Sequence, residues 1–337
     1  MVRIHRPRRG SKSYYPKVRA RHEKPNFSTK PLQTKAGPLN FYGYKAGMTH
    51  CMAKDTYKPS PTFNQEIQVP LTIIEVPEIF VTGIRLHKKT EFGKQTLKDF
   101  FIQPEGKEAK YYKTFFNTEK KKNIEEITKE IENLKSQIIE ANLIAFTKPF
   151  KTGFGKKEPE LVEIDLGGKI DEQISKALEL VGKDLKANQV FSANEFIDIK
   201  AVTKGKGWAG VIKRYGVKIQ RQPKAKRGRF IGSVGPWHPA TILWTVARPG
   251  QLGYFTRTEY NKKIVIMEDN FEKINPGAGF MNYSKIKNSY IAIVGSVAGP
   301  SKRLIGLRKP IRQGTIPENT WKISDINSIA LNGGQGK

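Results

Sequence analysis

The sequence predicts a mainly β fold with an α/β insertion: an antiparallel β-barrel carrying long basic extensions. Three observations lead there. Short β-branched runs bounded by Gly and Pro recur from Phe41 to Thr90 and again after Asn194. A helical, acid-rich block separates the two sets. Long stretches rich in Lys and Arg, and almost free of Asp and Glu, flank them.

Residues 1–40 are rich in Arg, Lys, Pro, Ser and Gly, contain one acid, Glu23, and have no sustained apolar period. Such a segment buries too little surface to offset its ordering entropy, so it reads as an extended basic arm. From Phe41 the runs F-Y-G-Y-K-A-G-M-T-H-C-M, V-P-L-T-I-I-E-V-P and I-F-V-T-G-I-R-L read as strands, and residues 41–90 form the first part of the barrel. Residues 91–194 form the insertion. Within it, Ile124, Ile127, Ile131, Leu134, Ile138 and Ala145 recur at near-helical spacing among glutamates, predicting an amphipathic helix from Asn123 to Ala145. L-V-E-I-D-L-G-G predicts a strand, and Asp171 to Val181 a second helix.

Strand patterns return in F-I-D-I-K-A-V-T, T-I-L-W-T-V-A-R, K-K-I-V-I-M and Y-I-A-I-V-G-S-V, so residues 195–312 complete the barrel around a central loop, 204–240. Residues 313–337 are a mixed, polar C-terminal segment ending in a loose tail.

Among 337 residues, 60 Lys+Arg face 31 Asp+Glu, a formal net charge of +29 that favours a polyanionic partner over a small substrate. The single cysteine, Cys51, excludes internal disulfides. His5, His22, His50, His87 and His238 offer no zinc-ligand spacing. The N-terminal letters lack the apolar core of a signal peptide, and the longest apolar run, Tyr290 to Ala298, is too short to span a bilayer. No membrane, no cofactor and no small-molecule substrate is expected.

Catalytic motifs are missing. Neither Lys204-Gly205-Lys206-Gly207-Trp208 nor Gly153-Phe154-Gly155-Lys156-Lys157 matches a phosphate loop. Both read as tight turns, either bringing backbone close to a phosphate chain or doing nothing further. His50 beside Cys51 would point to the opposite face of a strand, and the basic half has no carboxylate pair for Mg²⁺. The chain is not expected to be an enzyme.

The cations are grouped. Arg3, Arg6, Arg8, Arg9, Lys12, Arg19 and Arg21 lie in the arm, and Lys213, Arg214, Lys224, Lys226, Arg227 and Arg229 in the central loop. Lys302, Arg303 and Arg308 follow a predicted strand and belong at a barrel rim, where backbone-phosphate contact is the natural role. From Lys200 through Thr258 there is no acid at all. Tyr14, Tyr15, Trp208, Tyr215, Phe230 and Trp237 are interleaved with the cations, a pairing of phosphate neutralisers with base-stacking rings. A structural RNA-binding protein, an RNA-modifying enzyme on the same surface and a free architectural protein are all compatible with such a surface. The missing motifs disfavour the second, and a long Gly/Pro loop suits irregular RNA better than duplex DNA.

Five stretches carry a resemblance: G-Y-K-A-G-M-T-H, V-T-K-G-K-G-W-A-G-V, G-P-W-H-P-A, A-R-P-G-Q-L-G-Y-F-T-R-T-E-Y-N-K-K-I and G-S-V-A-G-P-S-K-R. In order and spacing they resemble the universal large-subunit ribosomal protein L-three family in its archaeal form. That resemblance implies a translation-protein-type barrel, a cytoplasmic location on the ribosome, and partners in large-subunit (23S-type) ribosomal RNA near its 3′ end and in neighbouring large-subunit ribosomal proteins. It implies a role in early subunit assembly. It adds Lys45, Lys204, Lys206, His238, Arg248, Arg257 and Lys262 to the RNA-binding set, which already holds Trp208 and Trp237. It also implies that the loop through Lys204 to Ala240 reaches toward the peptidyl-transferase region with Trp237 at its tip. Ala298 stands where the family pattern has proline.

Trp237 and His238 lie between Pro236 and Pro239, which disfavour helix and stiffen the tip. From the letters alone, Trp237 either contacts RNA there or plugs the core beneath a barrel turn. The acid-free flanks and the resemblance favour RNA.

Overall fold

The computed structural model describes residues 15–28, 30, 36–102, 109–112, 124–219, 228–229, 231–272, 274–312 and 321–326. The chain divides into two compact units, one of residues 1–22 and 202–257 and one of residues 23–201 and 258–337.

In the larger unit the chain runs through β1 (Gly37–Pro38), β2 (Asn40–Asp55), β3 (Glu66–Glu75), β4 (Ile79–Thr90) and β5 (Gly93–Phe101). Next come α1 (Ala109–Tyr112), α2 (Ile124–Leu134), β6 (Glu140–Thr147), β7 (Leu161–Gly167), α3 (Ile170–Leu180), β8 (Asp184–Leu185) and β9 (Phe196–Val202). The smaller unit contributes β10 (Trp208–Ala209), α4 (Val211–Tyr215) and β11 (Gly250–Gln251). The chain ends with β12 (Thr256–Glu268), β13 (Tyr290–Val294), β14 (Leu304–Arg308) and β15 (Trp321–Ile326).

The larger sheet has the order β14-β9-β12-β13-β3-β2-β15, and β14 pairs with β2 as well as with β9. Its buried face comes from alternate and continuous apolar positions: Phe41, Tyr44, Leu71, Ile73, Ile291, Ile293, Ile305 and Leu307. Each such side chain contributes about 1.5–3 kcal/mol relative to exposure. Two buried carboxylates tie loops to this core. Glu75 accepts hydrogen bonds from Tyr283 Oη, the Lys287 and Asn288 amides and Asn288 Nδ2. Asp198 accepts from Arg308 and from the amides of Asn261 and Ile311. A carboxylate can be buried this way because each of its oxygens finds at least one donor in place of water.

The smaller sheet runs β1-β7-β6-β4-β5, with β8 also on β4. On it, Arg85 holds Asp99 at 2.7 Å and Glu163 at 3.3 Å, while Asn142 donates to Glu163 and Asp165. Burial works against ionising Glu163, but hydrogen bonds from His87 and Asn142 and the charge of Arg85 hold its carboxyl down at about 2. Lys30 pairs with Glu140 at the edge of this cluster.

Several elements differ from expectation. The helix drawn to Ala145 stops at Leu134, and a short 3₁₀ turn at Lys135–Gln137 leads into β6. Residues 141–147 are all buried because β6 lies between β4 and β7, where a near-continuous apolar run replaces the helical stripe. The run I-F-V-T-G-I-R-L, assigned above to the barrel, is β4 of the smaller sheet. T-I-L-W-T-V-A-R forms no strand, since no neighbouring strand pairs with it. Conversely β15 forms in the polar C-terminal segment by pairing with β2. The arm is divided between the two units. In its later part, Phe27 lies against Gly306 and under the cations of Lys200 and Arg308.

Candidate nucleic-acid interface

The unit of residues 1–22 and 202–257 is assembled on a two-stranded ladder. Thr203 N donates to Phe255 O, Lys206 N to Leu252 O and Leu252 N to Gly207 O, continuing into the β10–β11 pair of Trp208 with Gln251. Lys204-Gly205-Lys206-Gly207 therefore runs along the edge of this ladder, irregular and with Gly207 in the left-handed region at φ +62°, rather than closing the tight turn expected. Its partner requires a glycine: a Cβ on Gly253, with φ +70°, would lie 2.0 Å from Lys204 O. This edge leaves Lys204, Lys206 and Trp208 exposed, Trp208 at 79%.

Helix α4 follows at once and ends at Gly216 in the left-handed region, whose amide donates to Ile212 O. Lys213 is exposed, and Arg214 is turned inward to donate to Gln251 O and Arg248 O. Tyr215 is buried, not a stacking platform. Its hydroxyl meets that of Tyr15 at 2.6 Å, with Lys17 over both rings. Tyr15 in turn packs edge-on against Trp244 with centroids 5.0 Å apart, and Ala20 N donates to Tyr254 O. The stretch from Tyr15 to Arg21 is thus laid on the ladder by specific contacts.

Residues 231–248 have no helix or strand. Trp237 is 88% exposed, which excludes the core placement, and His238, Arg229 and Arg248 are also exposed. Ile242, Leu243 and Trp244 are exposed beside them. Sequence reasoning missed Trp244 because its neighbours spell a strand. The available signal was its position inside the acid-free stretch.

The remaining candidates fall differently. Arg3, Arg6, Arg8, Arg9, Lys12, Lys224, Lys226 and Arg227 lie outside the described residues. Arg19 and Arg21 are exposed. Arg257 is half-buried with its guanidinium over Phe255. In the larger unit, Lys302 is exposed, and Lys262 donates to Ser296 O and pairs with Glu259. Arg303 pairs with Glu23. Two predicted contacts are corrected. Lys45 is buried, its Nζ donating to Val297 O and Gly299 O, and Arg308 is buried against Asp198 at 2.9 Å. Both are inward-facing strand residues whose charge is used on protein oxygens, a use that residue type alone does not reveal.

Two antiparallel sheets and an acid-free unit with outward cations and tryptophans define a mainly β protein with a surface complementary to a polyanion. The ribosomal protein L3 family model matches residues 1–329. The large ribosomal subunit protein uL3 of Methanosphaera stadtmanae is 42% identical over 338 residues, spanning 99% of this chain and 100% of that protein. Proteins of the same name from Methanothermobacter thermautotrophicus and Methanocaldococcus jannaschii are 40% and 39% identical over nearly the full length. The chain belongs to the ribosomal protein L3 family, a structural protein of the ribosome and not an enzyme.

Proposed function

We propose that this protein binds large-subunit ribosomal RNA near its 3′ end through the unit of residues 1–22 and 202–257, and supports early assembly of that subunit. One observation carries the reading: between Lys200 and Thr258 no acid interrupts the cations, and Trp208, Trp237 and Trp244 stand exposed among them. Cations without local carboxylates are free to neutralise phosphates, while exposed indoles offer stacking surface to unpaired bases. The names of the archaeal relatives support the same partner.

The finer architecture follows. The larger sheet is a barrel of the translation-protein type, a reading supported by the pairing circuit β2-β3-β13-β12-β9-β14, which returns to β2. The smaller sheet with α2 and α3 is the insertion, available to neighbouring ribosomal proteins. The loop bearing Trp237 reaches toward the peptidyl-transferase region. A salt titration tests the reading. Affinity for a large-subunit RNA transcript should fall by about 10³-fold or more between about 50 and 200 mM salt. A flat response, or a chain that sediments apart from the large subunit in a lysate gradient, would overturn it.

A further inference from the structure

In the larger unit, the loop of residues 295–303 joins β13 to β14 and is held through its carbonyl groups. Thr72 Oγ1 donates to Gly295 O at 2.6 Å, Lys262 Nζ to Ser296 O at 3.1 Å, and Lys45 Nζ to Val297 O and Gly299 O. The donors come from three strands, β3, β12 and β2, so the main chain of the loop is fixed from several directions. The chain enters at Gly295, whose φ of +76° ends the alternation of β13 and whose amide donates to Pro70 O at 2.8 Å.

The held carbonyls decide where the amides point. The peptide bonds after Gly295, Ser296 and Val297 are trans, and in a trans peptide the C=O and the following N–H point in opposite directions. The amides of Ser296, Val297 and Ala298 therefore each point away from the side chain that holds the preceding carbonyl. Among the described residues none of the three has an acceptor. Backbone donors are obligatory hydrogen-bonding groups, so these three are left to water or to an acceptor that a partner brings. Successive N–H groups in a turn form an anion-binding surface, and ammonium groups bound on the carbonyl side polarise the same peptide units further. Nearby charge has the matching sign. Lys302, at φ +72°, is exposed, and among the described residues it has no carboxylate partner.

We infer that this loop binds a phosphate of the RNA backbone, the amides of Ser296, Val297 and Ala298 donating to its oxygens and the Lys302 ammonium neutralising its charge. The inference rests on the RNA-binding reading and extends it to the larger unit. Phosphate contact at this rim was expected of cations, but Arg303 pairs with Glu23 and Arg308 with Asp198, so the main chain takes over most of that role. A base edge mixes donors with acceptors, whereas this set offers donors only and suits a group that only accepts. A protein carboxylate is the other such group, and a net charge of +29 in a ribosomal family favours phosphate over it. Carbonyl contacts that order the loop in advance reduce what the phosphate must offset on binding. Such a contact fixes register on the RNA and reads no sequence.

The test uses the full-length chain and a transcript of large-subunit ribosomal RNA, with amide hydrogen exchange read by mass spectrometry. In the free chain the amides of residues 296–298 should exchange fast, and the transcript should slow them by about tenfold or more, as a hydrogen bond to a charged group implies. Ala298→Pro removes one N–H, no protein hydrogen bond and no charge. It should weaken transcript binding about tenfold with the salt slope unchanged. Lys302→Gln should instead lower the slope by about one. Thermal unfolding matching the parent establishes that each variant is folded, and if Ala298→Pro is not, exchange in the parent decides. Slow exchange at 296–298 in the free chain would overturn the inference by revealing a protein acceptor. So would protection of 231–248 by the transcript with none at 296–298, an outcome that leaves the RNA-binding reading intact. Protection of 296–298 in assembled large subunits but not on the transcript would assign the loop to a protein carboxylate and overturn the inference as well. Absence of any salt-dependent binding would overturn both readings.

Discussion

Replacing Lys45 with Met separates the two roles open to this lysine. Its ammonium donates to the carbonyls of Val297 and Gly299, on a residue only 8% exposed. Its backbone holds the same loop: Lys45 N donates to Arg303 O at 3.1 Å and Lys302 N to Lys45 O at 2.8 Å. Methionine has similar length and no donor, so shape is nearly kept while the two side-chain bonds are lost. Hydrogen bonds to a charged group contribute about 1.5–3 kcal/mol each, so about 3–6 kcal/mol is at stake. Against this, the variant no longer buries an ammonium, a relief that offsets part of the loss. A net destabilisation of about 2–4 kcal/mol is expected, a large share of the roughly 5–15 kcal/mol that holds a folded chain. Urea unfolding followed by circular dichroism gives the value, and RNA affinity of the folded variant should stay within about threefold of the parent, under 1 kcal/mol. The reasoning is refuted if Lys45→Met keeps the parental urea midpoint while its RNA affinity drops and its salt slope falls by about one, the signature of a phosphate contact.

Other perturbations test other parts of the molecule. Trp237→Ala, at an 88% exposed position, should leave stability within about 0.5 kcal/mol and weaken RNA contact by about 1–3 kcal/mol, measured by paired unfolding and binding titrations; loss of the fold would contradict the exposed placement. Burial, opposed by Lys30 and reinforced by the charges of Glu163 and Glu140, pushes the Asp165 carboxyl up to about 6. Between the ordinary aspartate value of about 3.9 and this one, the folded state keeps a proton that the unfolded chain has released, so this group makes stability fall as pH rises through that window. Asp165→Asn should remove that slope in urea midpoints taken from pH 4 to pH 7, and an unchanged slope would exclude Asp165 as its source. A Cβ on Gly306 would stand 2.9 Å from the Phe27 ring, so Gly306→Ala should lift the stretch from Pro25 to Phe27 and speed proteolysis there; equal cleavage in both proteins would show that the ring shifts at no cost.

By itself the sequence determined the class of the protein. Apolar alternation marked β2, β3, β9, β12 and β13, because strand periodicity is local and survives without knowledge of partners. The acid-free stretch from Lys200 to Thr258 marked the candidate interface, because charge accumulates along the chain regardless of how it folds. Family motifs spread over the chain carried the rest of the identification. Tertiary structure decided what depends on neighbours. An apolar run such as A-N-L-I-A-F becomes β6 rather than helix only because strands exist on both sides of it. T-I-L-W-T-V-A-R stays irregular because no strand pairs with it, and its tryptophan is thereby left exposed. Cations of one letter code also part ways in three dimensions. Lys45 and Arg308 face inward and are satisfied by protein oxygens, whereas Arg19, Arg21 and Lys204 face outward. A side chain's charge is written in its residue type, but whether that charge meets a carbonyl, a carboxylate or solvent is set by contacts between residues far apart in sequence.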